Sequence, residues 1–246
     1  MGRLTINPLL DVDGPYPEGM RIIAPYRYAA GGGFVPTDLG ATLKRWYGTT
    51  GASDATWPDL SGTGVDATQA DSGKQASIES AVLGGQQVRR FNGTSDSFTF
   101  TTLTLNTNAT WFVLCKESTA TDAMILSRQG GNDSQYRANF SGTYLIYDGS
   151  LVQSDSVSNW DVWKIRAVRK TGTTYEFFEN GTDLGGGTGS GTFQLGLIGQ
   201  IGSADSQFFP GDMAEILICD SALSDSDMNH VGNYMEDWSG ITWTDI

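Results

Sequence analysis

The stretch from Phe208 to Ile241 constrains the fold more than any other part of the chain. Pro210-Gly211 signals a turn. Met213 to Asp220 follows, with a solid apolar run Ile216-Leu217-Ile218-Cys219. Such a run suits a strand buried on both faces of a sandwich, or one covered by another segment. A helix is predicted next. Ser224 is placed as its N-cap with Asp227 as capping-box partner, and Leu223 and Met228 take the positions of a hydrophobic staple. Met228, Val231, Met235 and Trp238 fall on one helical face. Gly240 sits where a left-handed residue ends a helix, and Ile241 folds back behind it. A helix with a start, a stop and one apolar face must lie on a sheet.

Glycine is abundant, 32 of 246 residues, while proline is only 7. That is roughly twice the usual ~7% glycine, and it fits many short strands joined by glycine turns better than it fits disorder. The pattern predicts strands over 88–91, 98–105, 110–117, 123–128, 136–140, 143–147, 151–154, 162–170, 174–179 and 193–201. Asn180-Gly181 is the strongest hairpin signal, because both residues tolerate positive φ. Gly185 to Gly191 reads as a flexible glycine-rich loop. The expected fold over 34–246 is an all-β antiparallel sandwich of jelly-roll type with one C-terminal α-helix.

Residues 1–33 are different material. They hold four of the seven prolines, Pro8, Pro15, Pro17 and Pro25, and end in Gly31-Gly32-Gly33. So many prolines rule out a long helix or a central strand, yet the segment is too apolar for a solvated linker. It is expected to be an extended arm. Either it docks on a partner, with Tyr16, Ile22, Tyr26, Arg27 and Tyr28 as contacts, or it straps this domain's own surface. The triple glycine supplies a hinge.

Four pieces of the chain resemble bacterial and phage laminin G-like, concanavalin A-like jelly-roll domains. They are Thr37-Asp38-Leu39 with Leu43 to Tyr47, the stretch Trp57 to Gln69, the turn Phe91 to Asp96, and Phe209 to Ile218 with Ala222-Leu223-Ser224. The likeness covers roughly residues 37 to 241. It implies the fold, but not a single function, since such folds host lectins, adhesion modules, hydrolases and virion proteins. An arm joined to one such domain is similar to phage capsid decoration and fibre proteins. By that analogy the chain is a non-enzymatic virion-surface protein, made in the host cytoplasm. Its partners would be other virion proteins and host-surface glycans. A homotrimer would suit a fibre or a capsid three-fold axis, although no heptads demand it. A carbohydrate-binding lectin-like module is the alternative, and a glycoside hydrolase is a further one.

The residues narrow the chemistry. A net charge of −13 repels nucleic acid. No apolar run is long enough for a membrane helix, and the first 30 residues carry no secretion signal. The E-x-D-x-x-E strand motif of retaining β-glucanases, which aims carboxylates into one cleft, is absent. Glu176 and Glu179 are the nearest pair and read as hairpin surface charges on opposite faces. The single histidine, His230, lies off the apolar stripe. The resemblance also admits calcium at loop carboxylates, with Asp133, Asp148, Asp155, Asp205 and Asp212 in reach of loops, but no ligand set is assigned. Tyr136, Tyr147 and Trp160, near loop ends, are the candidates for stacking on a sugar ring. Cys115 and Cys219 read as buried free thiols.

Overall fold

Two antiparallel sheets, neither closed on itself, face each other in a computed structural model that describes residues 33–48, 50–119, 122–131, 133–157, 159–202 and 207–246. The proposed arm contacts Tyr16, Ile22, Tyr26, Arg27 and Tyr28 lie outside the described residues, as does Asp205. In chain order the strands are β1 Leu43–Tyr47, β2 Thr56–Trp57, β3 Ala67–Thr68, β4 Ser77–Leu83, β5 Gln86–Asn92, β6 Phe98–Leu105, β7 Asn108–Glu117 and β8 Ala123–Ser127. They continue with β9 Gln135–Phe140, β10 Thr143–Tyr147, β11 Leu151–Gln153, β12 Lys164–Thr171, β13 Thr174–Glu179, β14 Thr182–Thr188, β15 Phe193–Ile198 and β16 Pro210–Cys219, and helix α1 spans Asp225–Ser239.

The first sheet runs β14-β13-β12-β7-β16-β5-β4, and the second β11-β10-β9-β8-β15-β6-β3-β2. β16 is the hub of the first sheet. β7 takes one of its edges along nearly its whole length. β5 pairs with its first half and β1 with its second, so both share the other edge. An apolar run with no polar face is what a strand so enclosed requires.

The space between the sheets is filled mainly by aromatic and branched side chains, among them Phe91, Phe98, Trp111, Val113, Phe193 and Ile216. Trp111 stacks on Phe193 with centroids 5.1 Å apart. A second core lies on the outer face of the first sheet, where Phe112, Leu114 and Leu217 meet Met228, Val231 and Met235 of α1 and Trp243 beyond it. Each such fully buried side chain contributes about 2 kcal/mol. This apolar face, rather than helix propensity, holds the short α1 in place.

The ends of α1 follow the sequence. The Asp227 amide donates to Ser224 Oγ at 3.2 Å, and the Ser224 hydroxyl donates to Asp227 Oδ2 at 2.8 Å. Gly240 is left-handed at φ 73° and its N–H donates to the Glu236 carbonyl. Gly232 is needed for packing, since a Cβ there would lie 2.2 Å from the Trp243 indole.

Three readings change. Gly185 to Gly187, expected in a loop, belong to edge strand β14, which pairs with β13. A Cβ at Gly186 would stand 1.9 Å from the Tyr175 carbonyl, so the glycine allows the strands to approach. β4 has no counterpart among the predicted strands. Glu179 is not a surface charge: it accepts from Tyr144 and from Lys164 Nζ, the latter at 3.0 Å. The cysteines are free and buried as expected, Cys115 between the sheets and Cys219 under α1. Burial pushes both thiols up to about 12.

Candidate functional site

Where β5, β7 and β16 come to a common end, a cleft of about 340 Å³ is lined by Arg90, Lys116, Glu117, Ser118, Asp161 and Asp212, together with Phe91 and Gly211. Strand alternation separates the β7 groups. Glu117 points between the sheets and Lys116 toward the helix side. Glu117 forms a two-pronged ion pair with Arg166 of β12, and both side chains are fully buried. The Tyr144 ring lies 4.7 Å from the Arg166 guanidinium and covers it. On β5, Arg90 grips Asp212 through Nε at 2.7 Å and Nη2 at 3.0 Å, with Glu79 3.7 Å away. That hydrogen bond to Asp212 holds the Arg90 pKa above its ordinary value. Gly211 lets β16 pass close to β7, since a Cβ there would sit 2.1 Å from the Lys116 carbonyl.

At the mouth the groups are freer. The Lys116 ammonium lies 5.8 Å from the centre of the Trp163 ring. Asp161 is exposed, and it stands in the loop Trp160-Asp161-Val162-Trp163 with Val162 44% exposed. The mouth therefore offers a cationic donor, a carboxylate acceptor, a serine hydroxyl and an apolar rim. Such a set is suited to a ligand rich in hydroxyl groups.

The residues expected to stack on sugars do not share one surface. Tyr136 is 1% exposed and packs edge-on to Trp111 at 6.0 Å, so neither ring face is available, and it drops out as a platform. Its hydroxyl is buried without a hydrogen-bond partner, and burial drives its pKa upward. Tyr147 is half-buried on the outer face of the second sheet, in register with Gln135 and Leu151. Trp160 is half-buried at the start of the cleft loop, edge-on to Tyr144 at 5.8 Å and 5.5 Å from Lys164 Nζ.

The loop carboxylates are largely committed. Asp148 accepts from the Tyr175 hydroxyl at 2.8 Å and from the amides of Ser190 at 2.8 Å and Gly191 at 3.0 Å. Burial would raise its pKa, but those donors more than offset it and hold the carboxyl below its ordinary range. Asp133 pairs with Arg128, and Asp212 with Arg90. Among the described residues no group of three or more His, Cys, Asp and Glu is arranged to hold a metal ion. His230 is 55% exposed and stacks on Phe34 at 5.4 Å.

Of the polar cleft residues the sequence singles out only Asp212, and for another role. The others come from three separate segments: β5, the end of β7 and the loop before β12. The one local signal is the Trp160–Trp163 loop, where two aromatic residues bracket an acid.

No family model matches the chain, and no curated protein matches it. Solved structures do. Domain 4 of AbnA, a GH43 extracellular arabinanase from Geobacillus stearothermophilus, in complex with arabinotriose, is similar at 13% identity and TM-score 0.60. The match covers 80% of this chain and 98% of that one. Trypanosoma rangeli sialidase is similar at 13% identity and TM-score 0.57 over 80% of this chain, and its complex with sialic acid at 12% and 0.58. The chain spans about a third of the sialidase's length, 33%. At such identity the likeness is one of fold.

The expectation that the chain is not an enzyme is corrected by this finding, since both similar proteins are enzymes or parts of enzymes. That expectation rests on the analogy with virion proteins, on the position of His230 and on the lack of a nucleophile motif or of a carboxylate motif along one strand. The structure brings Glu117, Asp161 and Asp212 to one cleft from β7, a loop and β16. The motif's absence is therefore no ground for excluding catalysis, and a shared fold assigns no reaction.

Proposed function

We propose that this chain is a carbohydrate-binding β-sandwich module whose ligand site is the cleft between Arg90, Lys116, Asp161 and Asp212. One observation carries the reading: polar side chains from four segments converge on a single concavity beside an exposed aliphatic and two half-buried tryptophans. Sugars present hydroxyl groups for such donors and acceptors and apolar ring faces for such a rim. Support also comes from the domain-length likeness to the arabinanase module with arabinotriose. The membership in laminin G-like domains and the virion-surface role rest on motifs and on the arm alone, and they stand behind this reading.

Affinity electrophoresis against a panel of soluble polysaccharides tests the proposal. The folded protein is retarded by at least one of them, and Asp161→Ala reduces the retardation while leaving the circular dichroism unchanged. A panel that retards nothing, or binding that survives Asp161→Ala together with Lys116→Ala, refutes the assignment to this cleft.

A further inference from the structure

We infer that the cleft selects neutral rather than acidic saccharides, an inference that rests on the carbohydrate-binding reading. The charges lining the cleft cancel in fixed pairs. Arg90 is held by Asp212 with Glu79 nearby, and Glu117 is held by Arg166. Among the described residues this leaves Lys116 and Asp161 without an ion-pair partner, one charge of each sign. Lys116 is fixed near the face of Trp163. Asp161 is exposed in the loop that precedes β12.

Adjacent sugar hydroxyls both donate and accept. A cationic donor and an anionic acceptor lining one cleft match them, and hydrogen bonds to charged groups are the stronger kind. A sugar carboxylate seated there would gain Lys116 but would also meet the unpaired carboxylate of Asp161, so that its charge brings no net attraction. The chain as a whole carries −13. With a Debye length of about 8 Å at physiological salt, Asp161 acts within the cleft with little screening, and the field of the acidic chain slows the approach of any polyanion.

The test uses the full chain and two sets of probes. Arabinan, xylan and mixed-linkage β-glucan are the neutral set, and polygalacturonate and polysialic acid the acidic set. Binding is measured by affinity electrophoresis and isothermal titration at physiological ionic strength. Binding to a neutral polysaccharide and to neither acidic one is expected. Asp161→Asn and Lys116→Gln should each weaken the neutral interaction by about tenfold, the loss expected of one charged hydrogen bond. Asp161→Lys, which places a second cation at the mouth, should gain binding to polygalacturonate. Wild-type binding to an acidic polysaccharide as tight as to a neutral one overturns the inference and leaves the carbohydrate reading standing. So does an Asp161→Lys variant that stays blind to polygalacturonate while still folded. Failure to bind either set overturns both.

Discussion

Replacing Glu215 with glutamine should remove a pH dependence from the stability of the fold. Glu215 of β16 is buried under α1. Its carboxylate accepts from Trp46 Nε1 and from the Tyr234 hydroxyl at 3.1 Å on one oxygen, and from Trp238 Nε1 at 3.0 Å on the other. All three donors are neutral. Burial pushes its pKa up from 4.5, and the three hydrogen bonds pull it only part of the way back, to about 7.

The sign follows from linkage. A carboxyl whose pKa is raised on folding contributes stability that is fully present below the unfolded value and is lost as pH rises through the folded one. The gap corresponds to about 3 kcal/mol, lost between about pH 4.5 and pH 7. In Glu215→Gln, the amide oxygen keeps Trp46 and Tyr234, but the NH2 group opposes the Trp238 N–H. The variant therefore has a constant cost of about 1–3 kcal/mol and no titration at this position. Urea unfolding followed by tryptophan fluorescence at several values between pH 4.5 and 8 measures both proteins, and the titrations they share cancel in the difference. The wild type should lead clearly at pH 4.5, and its lead should shrink or reverse by pH 8. A difference that stays constant across this range refutes the reasoning.

Other perturbations test other parts of the structure. Glu117→Ala leaves Arg166 buried and unpaired, and should cost about 3–5 kcal/mol in urea unfolding; a loss under about 1 kcal/mol would mean that the pair is not enclosed. Gly232→Ala should lower the melting temperature, although alanine favours a helix by about 1 kcal/mol, because its Cβ would strike Trp243; a raised melting temperature would contradict the packing of the C-terminal segment on α1. Deleting residues 1–33 tests the division expected at the triple glycine, and should leave the melting transition within a few degrees of the full chain. A collapse of the transition would make the leading segment part of the domain.

Wherever one local signal is enough, the sequence by itself determined the element. The cap at Ser224, the stripe from Met228 to Trp238 and the stop at Gly240 act within a few residues of one another, so α1 was legible from end to end. The strands from β5 to β13 were legible for the same reason, through alternation and the Asn180-Gly181 turn. β14 was not, because glycines that suit a close approach to β13 look the same in a sequence as glycines that suit a loop.

Tertiary structure alone decided the positions that depend on register. The pairing of β16 with β7 slips between Met213 and Glu215. That bulge puts Glu215 on the same side as Ala214, under α1, where strict alternation from Met213 would have sent it between the sheets. The cleft is a tertiary outcome for the same reason. Arg90, Lys116, Asp161 and Asp212 are spread over more than a hundred residues of chain, and only the pairing of β5, β7 and β16 brings their strand ends to one place. Local propensity acts over a turn or a strand, whereas a binding surface is set by which strand ends meet.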